Sequence, residues 1–117
     1  MNYIGSCHCG QISFSFFSLE PIDDGMRCSC SICKRKGAIM TSFTILPDHL
    51  SIVDKEHSLS VYQFGSAVAK HYFCGRCGIF TFVETRLNPN EYRVNLGCID
   101  QLDSFALPVT LFDGESI

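Results

Sequence analysis

The feature that most restricts how this chain can fold is the spacing of its eight cysteines within 117 residues. Seven of them fall into three short groups, and the groups are Cys7 with Cys9, Cys28 with Cys30 and Cys33, and Cys74 with Cys77. Cysteines two apart on an extended segment point to the same face, where they can share a metal but rarely reach the geometry of a disulfide. The grouping therefore predicts metal binding. A disulfide framework is the alternative, and it is disfavoured if the compartment is reducing.

Composition and charge exclude several classes of function. The formal net charge is −3 and is spread without long runs of one sign, which argues against nucleic acid as the main partner. No apolar run approaches the roughly 20 residues of a membrane-spanning helix. Residues 1–10 lack the basic start and apolar stretch of a secretory signal. We expect a cytoplasmic protein, with residues 1–117 forming a single zinc-binding domain.

Alternation of apolar and polar residues with a period of two dominates the chain and predicts strands. The predicted strands cover residues 11–18, 38–46, 60–64, 67–73, 79–86, 91–99 and 108–112. One helical turn is expected over residues 31–37, with Ser31 as a possible N-cap and Gly37 as the terminator. A second short turn is possible over residues 49–52. The pattern indicates an all-β fold of sheets packed on one another.

Two of the cysteine groups together supply four thiolates, a donor set that suits tetrahedral zinc. The four cysteines are Cys7, Cys9, Cys74 and Cys77. Residues 9–14 and 77–82 share the order Cys, Gly, any residue, apolar, hydroxyl, Phe, which supports pairing the two groups. A site with four protein ligands has no vacant position, so its role would be structural. Taken alone, Cys74 and Cys77 could instead form a redox dithiol.

The third group, Cys28, Cys30 and Cys33, offers three thiolates within six residues. Zinc with three protein ligands keeps its fourth position for water or substrate, which is typical of catalytic sites. Such a centre would suit a thiol substrate bound as thiolate. Alternatively, Cys98 or a water completes a structural site, or the chain binds one zinc and these cysteines are spare.

Four basic residues surround this group, and they are Arg27, Lys34, Arg35 and Lys36. They could offset the negative charge of a three-thiolate zinc and attract the carboxylates of an anionic thiol. They could equally be the solvated face of a short helix.

At these residues the sequence resembles the family of the glutathione-dependent formaldehyde-activating enzymes, which also includes centromere protein V. The resemblance is carried by four segments in family order. They are GSCHCG with Phe14 (residues 5–14), CSCSIC (28–33), FCGRCG with Phe82 (73–82) and RVNLGCID (93–100).

The resemblance implies a β-tent fold, in which antiparallel sheets meet around a structural zinc. It also implies a carbon–sulfur lyase that joins formaldehyde to glutathione, giving S-hydroxymethylglutathione. The residues it would assign to the structural zinc are Cys7, Cys9, Cys74 and Cys77, and those it would assign to a catalytic zinc are Cys28, Cys30 and Cys33. Cys98 would not be a ligand, and two zincs per chain are expected.

The expected partners are therefore a small-molecule thiol such as glutathione and a small aldehyde, with no nucleic acid and no membrane. The alkoxide formed in such an addition needs a proton, and His71 and Asp100 are the candidate acid/base residues. Residues of these types are more often structural hydrogen-bonding groups. The alternative function is a non-catalytic zinc scaffold that binds another protein.

Overall fold

The computed structural model describes residues 1–65 and 68–114, and it consists almost entirely of β-strands. The strands are β1 Asn2–Ser6, β2 Ile12–Phe17, β3 Gly25–Cys28, β4 Leu50–Asp54, β5 Leu59–Tyr62, β6 Lys70–Cys74, β7 Phe80–Glu84, β8 Tyr92–Val94 and β9 Val109–Phe112. One short helix, α1, covers Ser31–Lys36, and 3₁₀ turns cover Pro47–His49 and Leu96–Cys98. Over the described ranges, no helix combines the length and apolarity needed to cross a membrane. The prediction of an all-β fold is confirmed.

The strands form two antiparallel sheets and one small parallel pair. The first sheet has the order β1-β2-β4 and the second the order β5-β6-β7-β8. The third consists of β3 and β9, which run parallel with Gly25 opposite Val109 and Cys28 opposite Phe112. This pairing places β9, which lies near the end of the described residues, next to the segment that contains Cys28, Cys30 and Cys33.

The hydrophobic core lies between the two antiparallel sheets. In β2, Ile12, Phe14 and Phe16 are buried while the two serines that alternate with them are half-buried, as the period of two predicts. Phe82 of β7 is fully buried, and its ring meets that of Phe14 edge-on at 5.5 Å. Burial of each such ring stabilises the fold by about 1.5–3 kcal/mol. These contacts align the sheets, so that the turn between β1 and β2 lies beside the turn between β6 and β7.

Several predicted elements differ from those observed. Residues 38–46 form no strand, and only Met40 and Ile45 make isolated bridges there, to Met26, Asn95 and Tyr92. The segment crosses between sheets and has no continuous strand partner. Strands β1, β3 and β4 were not predicted from the pattern.

The bounds of three further elements also shift. The predicted strand 91–99 ends at Val94, because the Asn95 side chain accepts a hydrogen bond from the Gly97 N–H and starts a 3₁₀ turn. The turn expected at 49–52 lies at Pro47–His49 and leads directly into β4. The predicted strand 67–73 corresponds to β6, and its first residue, Ala67, lies outside the described residues.

Helix α1 lies where it was expected, but its N-cap is a different residue. Its N-cap is Cys30 rather than Ser31, and the Cys30 sulfur accepts the N–H of Cys33 at 3.5 Å. The helix ends as predicted at Gly37, which has φ 66° and donates its N–H to the Cys33 carbonyl. The cap therefore holds two of the three clustered cysteines at a fixed separation.

Candidate metal centres and the adjoining cavity

The same backbone turn occurs twice, once in each antiparallel sheet, and each copy carries two cysteines. Between β1 and β2, the Cys7 N–H donates to the Ile12 carbonyl at 3.0 Å, and the Ile12 N–H donates to the Cys7 sulfur at 3.3 Å. Between β6 and β7, the Cys74 N–H donates to the Ile79 carbonyl, also at 3.0 Å. The two turns are thus similar, although the second has one more residue between its first cysteine and its glycine, so the sequence match of residues 9–14 with 77–82 is offset by one residue from the hydrogen-bond pattern.

Each turn depends on a glycine with a left-handed backbone conformation. Gly10 and Gly78 both have φ 81°, a region that residues with a Cβ rarely adopt. In the second turn, the N–H groups of Arg76 and Cys77 both donate to the Cys74 sulfur at 3.4 Å. The turns therefore supply backbone donors to sulfur, which favours the ionised form of a thiol.

The two turns bring four sulfur atoms together. The Sγ atoms of Cys7, Cys9, Cys74 and Cys77 all lie within 4.8 Å of one another. Those of Cys7 and Cys9 are 3.6 Å apart, and those of Cys9 and Cys74 are 3.8 Å apart. A tetrahedral zinc with bonds of about 2.3 Å requires sulfur separations of about 3.8 Å. Both the donor chemistry and the spacing fit zinc, and all eight cysteines of the chain are free of disulfides.

The electrostatics of this cluster favour thiolates on the second turn. Burial opposes ionisation of Cys77, but backbone N–H groups of Cys9 and Ile79 outweigh it and lower the pKa of Cys77 to about 6. Burial is outweighed in the same way at Cys74, where the N–H groups of Cys77 and Arg76 lower the pKa. Two of the four sulfurs are thus prepared to release their protons to a metal.

The second cluster lies where β3 meets α1. Cys28 ends β3, Cys30 caps the helix and Cys33 lies in its first turn, and the three Sγ atoms are within 4.8 Å of one another. Burial raises the pKa of Cys33 to about 12, so this thiol would ionise only with a compensating positive charge. Three sulfurs fit zinc with one remaining position.

The segment after β9 covers one side of this cluster. The Gly114 N–H donates to the Ser29 hydroxyl at 3.2 Å, and Ser29 donates its own N–H to the Phe112 carbonyl at 3.0 Å. A Cβ placed on Gly114 would lie 2.3 Å from the Cys28 sulfur. No larger residue fits at this position while the sulfur stays in place.

The three cysteines line a cavity of about 490 Å³. Its volume is within the range of small-molecule sites, roughly 300–1,000 Å³. The opposite antiparallel sheet supplies another wall, because His71, Val83 and Arg93 are direct neighbours on β6, β7 and β8 and all line the cavity. The Arg93 guanidinium donates to the Thr41 carbonyl at 2.7 Å.

Lys36 and His71 form a buried pair in this cavity. The Lys36 ammonium lies 2.7 Å from His71 Nδ1 and 3.5 Å from the centroid of the Phe80 ring. His71 is only 5% exposed, and the Phe64 ring stacks on it with centroids 5.9 Å apart. Burial, with the Lys36 charge, lowers the pKa of His71 to about 4, and burial lowers that of Lys36 to about 8.

The other candidate acid/base residue lies elsewhere. Asp100 is exposed, and among the described residues it does not line the cavity. Cys98 is buried outside both clusters, with its sulfur 3.6 Å from the Phe80 carbonyl, and burial raises its pKa to about 12. His8 and His49 are exposed.

Of the four basic residues around the second cluster, three are solvent-exposed and one faces the cavity. Arg27, Lys34 and Arg35 are exposed, and Arg35 donates to the Ser31 carbonyl of its own helix. Lys36 alone turns inward. Arg93 was not among the candidate site residues identified from the sequence. The available signal was its position next to the core residue Val94, which places its side chain on the other face of β8.

An all-β domain with a four-cysteine cluster, and a three-cysteine cluster on the wall of a cavity, defines a class of protein equipped to bind metal at two places. Comparison with known sequences identifies the family. The family model for the glutathione-dependent formaldehyde-activating enzyme matches residues 2–114. The chain belongs to this family.

One curated relative carries a name that agrees with that assignment, and one solved structure shares the fold. A protein of Halomonas elongata, whose name refers to glutathione-dependent formaldehyde activation, is 34% identical over 80 residues, covering 62% of this chain and 50% of the relative. The chain thus spans about half the length of this curated relative. The crystal structure of a Rhodobacter sphaeroides protein matches with TM-score 0.80 and 38% identity, covering 92% of this chain and 99% of that one.

Proposed function

We propose that this chain is a zinc-dependent carbon–sulfur lyase that adds glutathione or a similar thiol to formaldehyde or a small aldehyde, or cleaves such an adduct. The observation that carries the proposal is the position of the three-cysteine cluster on the wall of a cavity large enough for a small molecule. Membership of the family supports the choice of thiol and aldehyde as substrates.

The residues proposed to hold a catalytic zinc are Cys28, Cys30 and Cys33. Zinc bound by three thiolates supplies a vacant coordination position at which a substrate thiol is stabilised as thiolate. Zinc and three thiolates carry a net charge of −1, so a second anion entering the cavity needs positive charge nearby. Lys36 and Arg93 supply it, since the thiol of Cys33 interacts with the first and that of Cys28 with the second.

The four-cysteine cluster has a different proposed role. A zinc held by Cys7, Cys9, Cys74 and Cys77 has no free position and therefore no chemistry. It would join the β1–β2 turn of one sheet to the β6–β7 turn of the other. We assign two zincs to each chain on this basis, and a cytoplasmic location, where thiols remain reduced.

The proposal is tested by following thiol-dependent loss of formaldehyde with the zinc-loaded protein. We expect a rate above the spontaneous addition of glutathione, lost in Cys30→Ser and kept in Cys98→Ala, which removes a thiol outside both clusters. No catalysed rate across several thiols and aldehydes would overturn the proposal. A zinc-loaded but inactive chain would then be a non-catalytic scaffold.

A further inference from the structure

The contact between Lys36 and His71 fixes which nitrogen of the imidazole carries a proton. A lysine ammonium has three N–H donors and no acceptor. At 2.7 Å from Lys36 Nζ, His71 Nδ1 must therefore accept the hydrogen bond. A neutral imidazole that accepts at Nδ1 carries its hydrogen on Nε2. The buried surroundings of His71 favour this neutral form.

The Nε2–H group so defined has nothing to donate to. Among the described residues, His71 Nε2 is the buried side-chain polar atom that lacks a hydrogen-bond partner. Buried donors are almost always paired, so an exception on a cavity wall indicates a place for a ligand atom. Phe64 stacks on one face of the ring, and His71 lines the cavity.

A hydrogen on Nε2 also excludes one use of this nitrogen. A protonated ring nitrogen cannot ligate a metal. The geometry agrees with this. The Sγ atoms of Cys28, Cys30 and Cys33 are close enough to share an ion, and His71 does not belong to that group. The partner that Nε2–H lacks is an acceptor, such as an oxygen atom of a substrate.

We propose that His71 Nε2–H donates a hydrogen bond to the aldehyde oxygen during the addition, and that Lys36 is the positioning residue that keeps His71 in this tautomer. This inference rests on the proposed function and names a catalytic residue for it. Lys36 does not touch the substrate in this account; it acts through His71.

The step balances without a further reactant. The thiol loses its proton, its sulfur bonds to the carbonyl carbon, and the C=O electron pair moves to oxygen. The oxygen then takes up one proton, which gives a hemithioacetal and leaves no net proton change. A donor aimed at this oxygen stabilises the negative charge that develops there, and it is more valuable in a cavity than in water.

The first test reads the tautomer directly, without any reaction. The ¹⁵N spectrum of histidine-labelled, zinc-loaded protein at pH 7 should show His71 as neutral with hydrogen on Nε2. Lys36→Met should add a population with hydrogen on Nδ1, and Lys36→Arg, whose guanidinium also only donates, should restore the single tautomer. An Nδ1–H or doubly protonated ring in the unaltered protein would overturn the inference.

The second test measures turnover with glutathione and formaldehyde as the probes. His71→Leu should lower kcat by about 10²–10³-fold with little change in KM for glutathione, as loss of an oxyanion donor does. His71→Gln keeps an N–H donor and should retain more activity. The matched control is His49→Leu, an exposed histidine outside the cavity, which should leave kcat unchanged.

Zinc content and melting temperature of each variant exclude loss of metal or fold as the cause. If the unaltered protein is active and His71→Leu retains its kcat, the inference fails while the proposed function stands. If the unaltered protein shows no catalysed rate, the proposed function itself fails.

Discussion

Two single residues that line the cavity matter most for its chemistry. Gly114 is one, since a Cβ at this position would meet Cys28 and Cys30. His71 is another, since burial and Lys36 together define its charge and its tautomer. Gly114 leads to a steric prediction and His71 to an electrostatic one.

Gly114→Ala should disrupt the three-cysteine cluster alone. The new Cβ would lie 2.3 Å from the Cys28 sulfur and 2.8 Å from the Cys30 Cβ, so one of them must move. Overpacking of this kind costs about 1–3 kcal/mol. We expect loss of one zinc per chain and of turnover, with the fold retained. Gly97→Ala, which meets only the Asn95 side chain, is the control, and full zinc content in Gly114→Ala would contradict the account.

The charge of His71 predicts a dependence of stability on pH. Burial and Lys36 lower its pKa from 6.5 to about 4 in the folded chain. Between these values the unfolded state binds more protons, so His71 destabilises the fold as pH falls from about 6.5 to about 4. The free energy of unfolding in urea should therefore drop less between pH 7 and pH 5 in His71→Gln than in the unaltered protein. Equal drops would contradict this.

At the scale of elements, the repeated cysteine turn is what connects the two antiparallel sheets. Each turn follows one strand of a hairpin, β1 in the first sheet and β6 in the second. A zinc shared between them would fix the sheets at that end, whereas the aromatic core fixes them in the middle. The β3–β9 pair and α1 carry the other cluster, so damage to one cluster need not reach the other.

Cys74→Ser should destabilise the whole domain. Binding of a structural zinc contributes about 10–16 kcal/mol in small zinc peptides, comparable to the entire stability of a domain. We expect an unfolded chain or a large fall in melting temperature, measured by circular dichroism. In contrast, Cys30→Ser should lower the melting temperature little while abolishing turnover. The opposite pattern would mean that the structural and catalytic roles are reversed.

The sequence revealed much of the site because cysteine spacing is a local signal. Cys28, Cys30 and Cys33 lie within six residues of the chain, and the two turns that carry the other four cysteines have similar sequences that can be recognised without a structure. The strand content was also visible from alternation in β2 and β7. A strand at β9 was predicted as well, whereas β3 was not, because it is short and its parallel pairing with β9 joins segments far apart in the chain.

The cavity could not be predicted from the sequence, because it too is formed by segments far apart in the chain. Lys36 and His71 are 35 positions apart, and only the approach of α1 to the second sheet brings them to hydrogen-bonding distance. Asp100, like His71, is a residue type that can transfer a proton, but it is exposed and does not line the cavity. Residue type alone does not separate the two.

At the scale of the whole molecule, we propose that two separate groups of cysteines have different roles, one holding the sheets together and the other binding a substrate. The first group has four cysteines and lies between the sheets; the second has three and borders a cavity of about 490 Å³. This division is the central claim, because the proposed chemistry requires one site to be saturated and the other to keep a free position.

The most direct test is the zinc content of the purified chain before and after a mild chelator. We predict two zincs per chain, of which the chelator removes one, with turnover lost and the melting temperature almost unchanged. Cys30→Ser should contain one zinc, resistant to the same treatment. A chain that is fully folded without metal, or whose cysteines are joined in disulfides, would contradict the account.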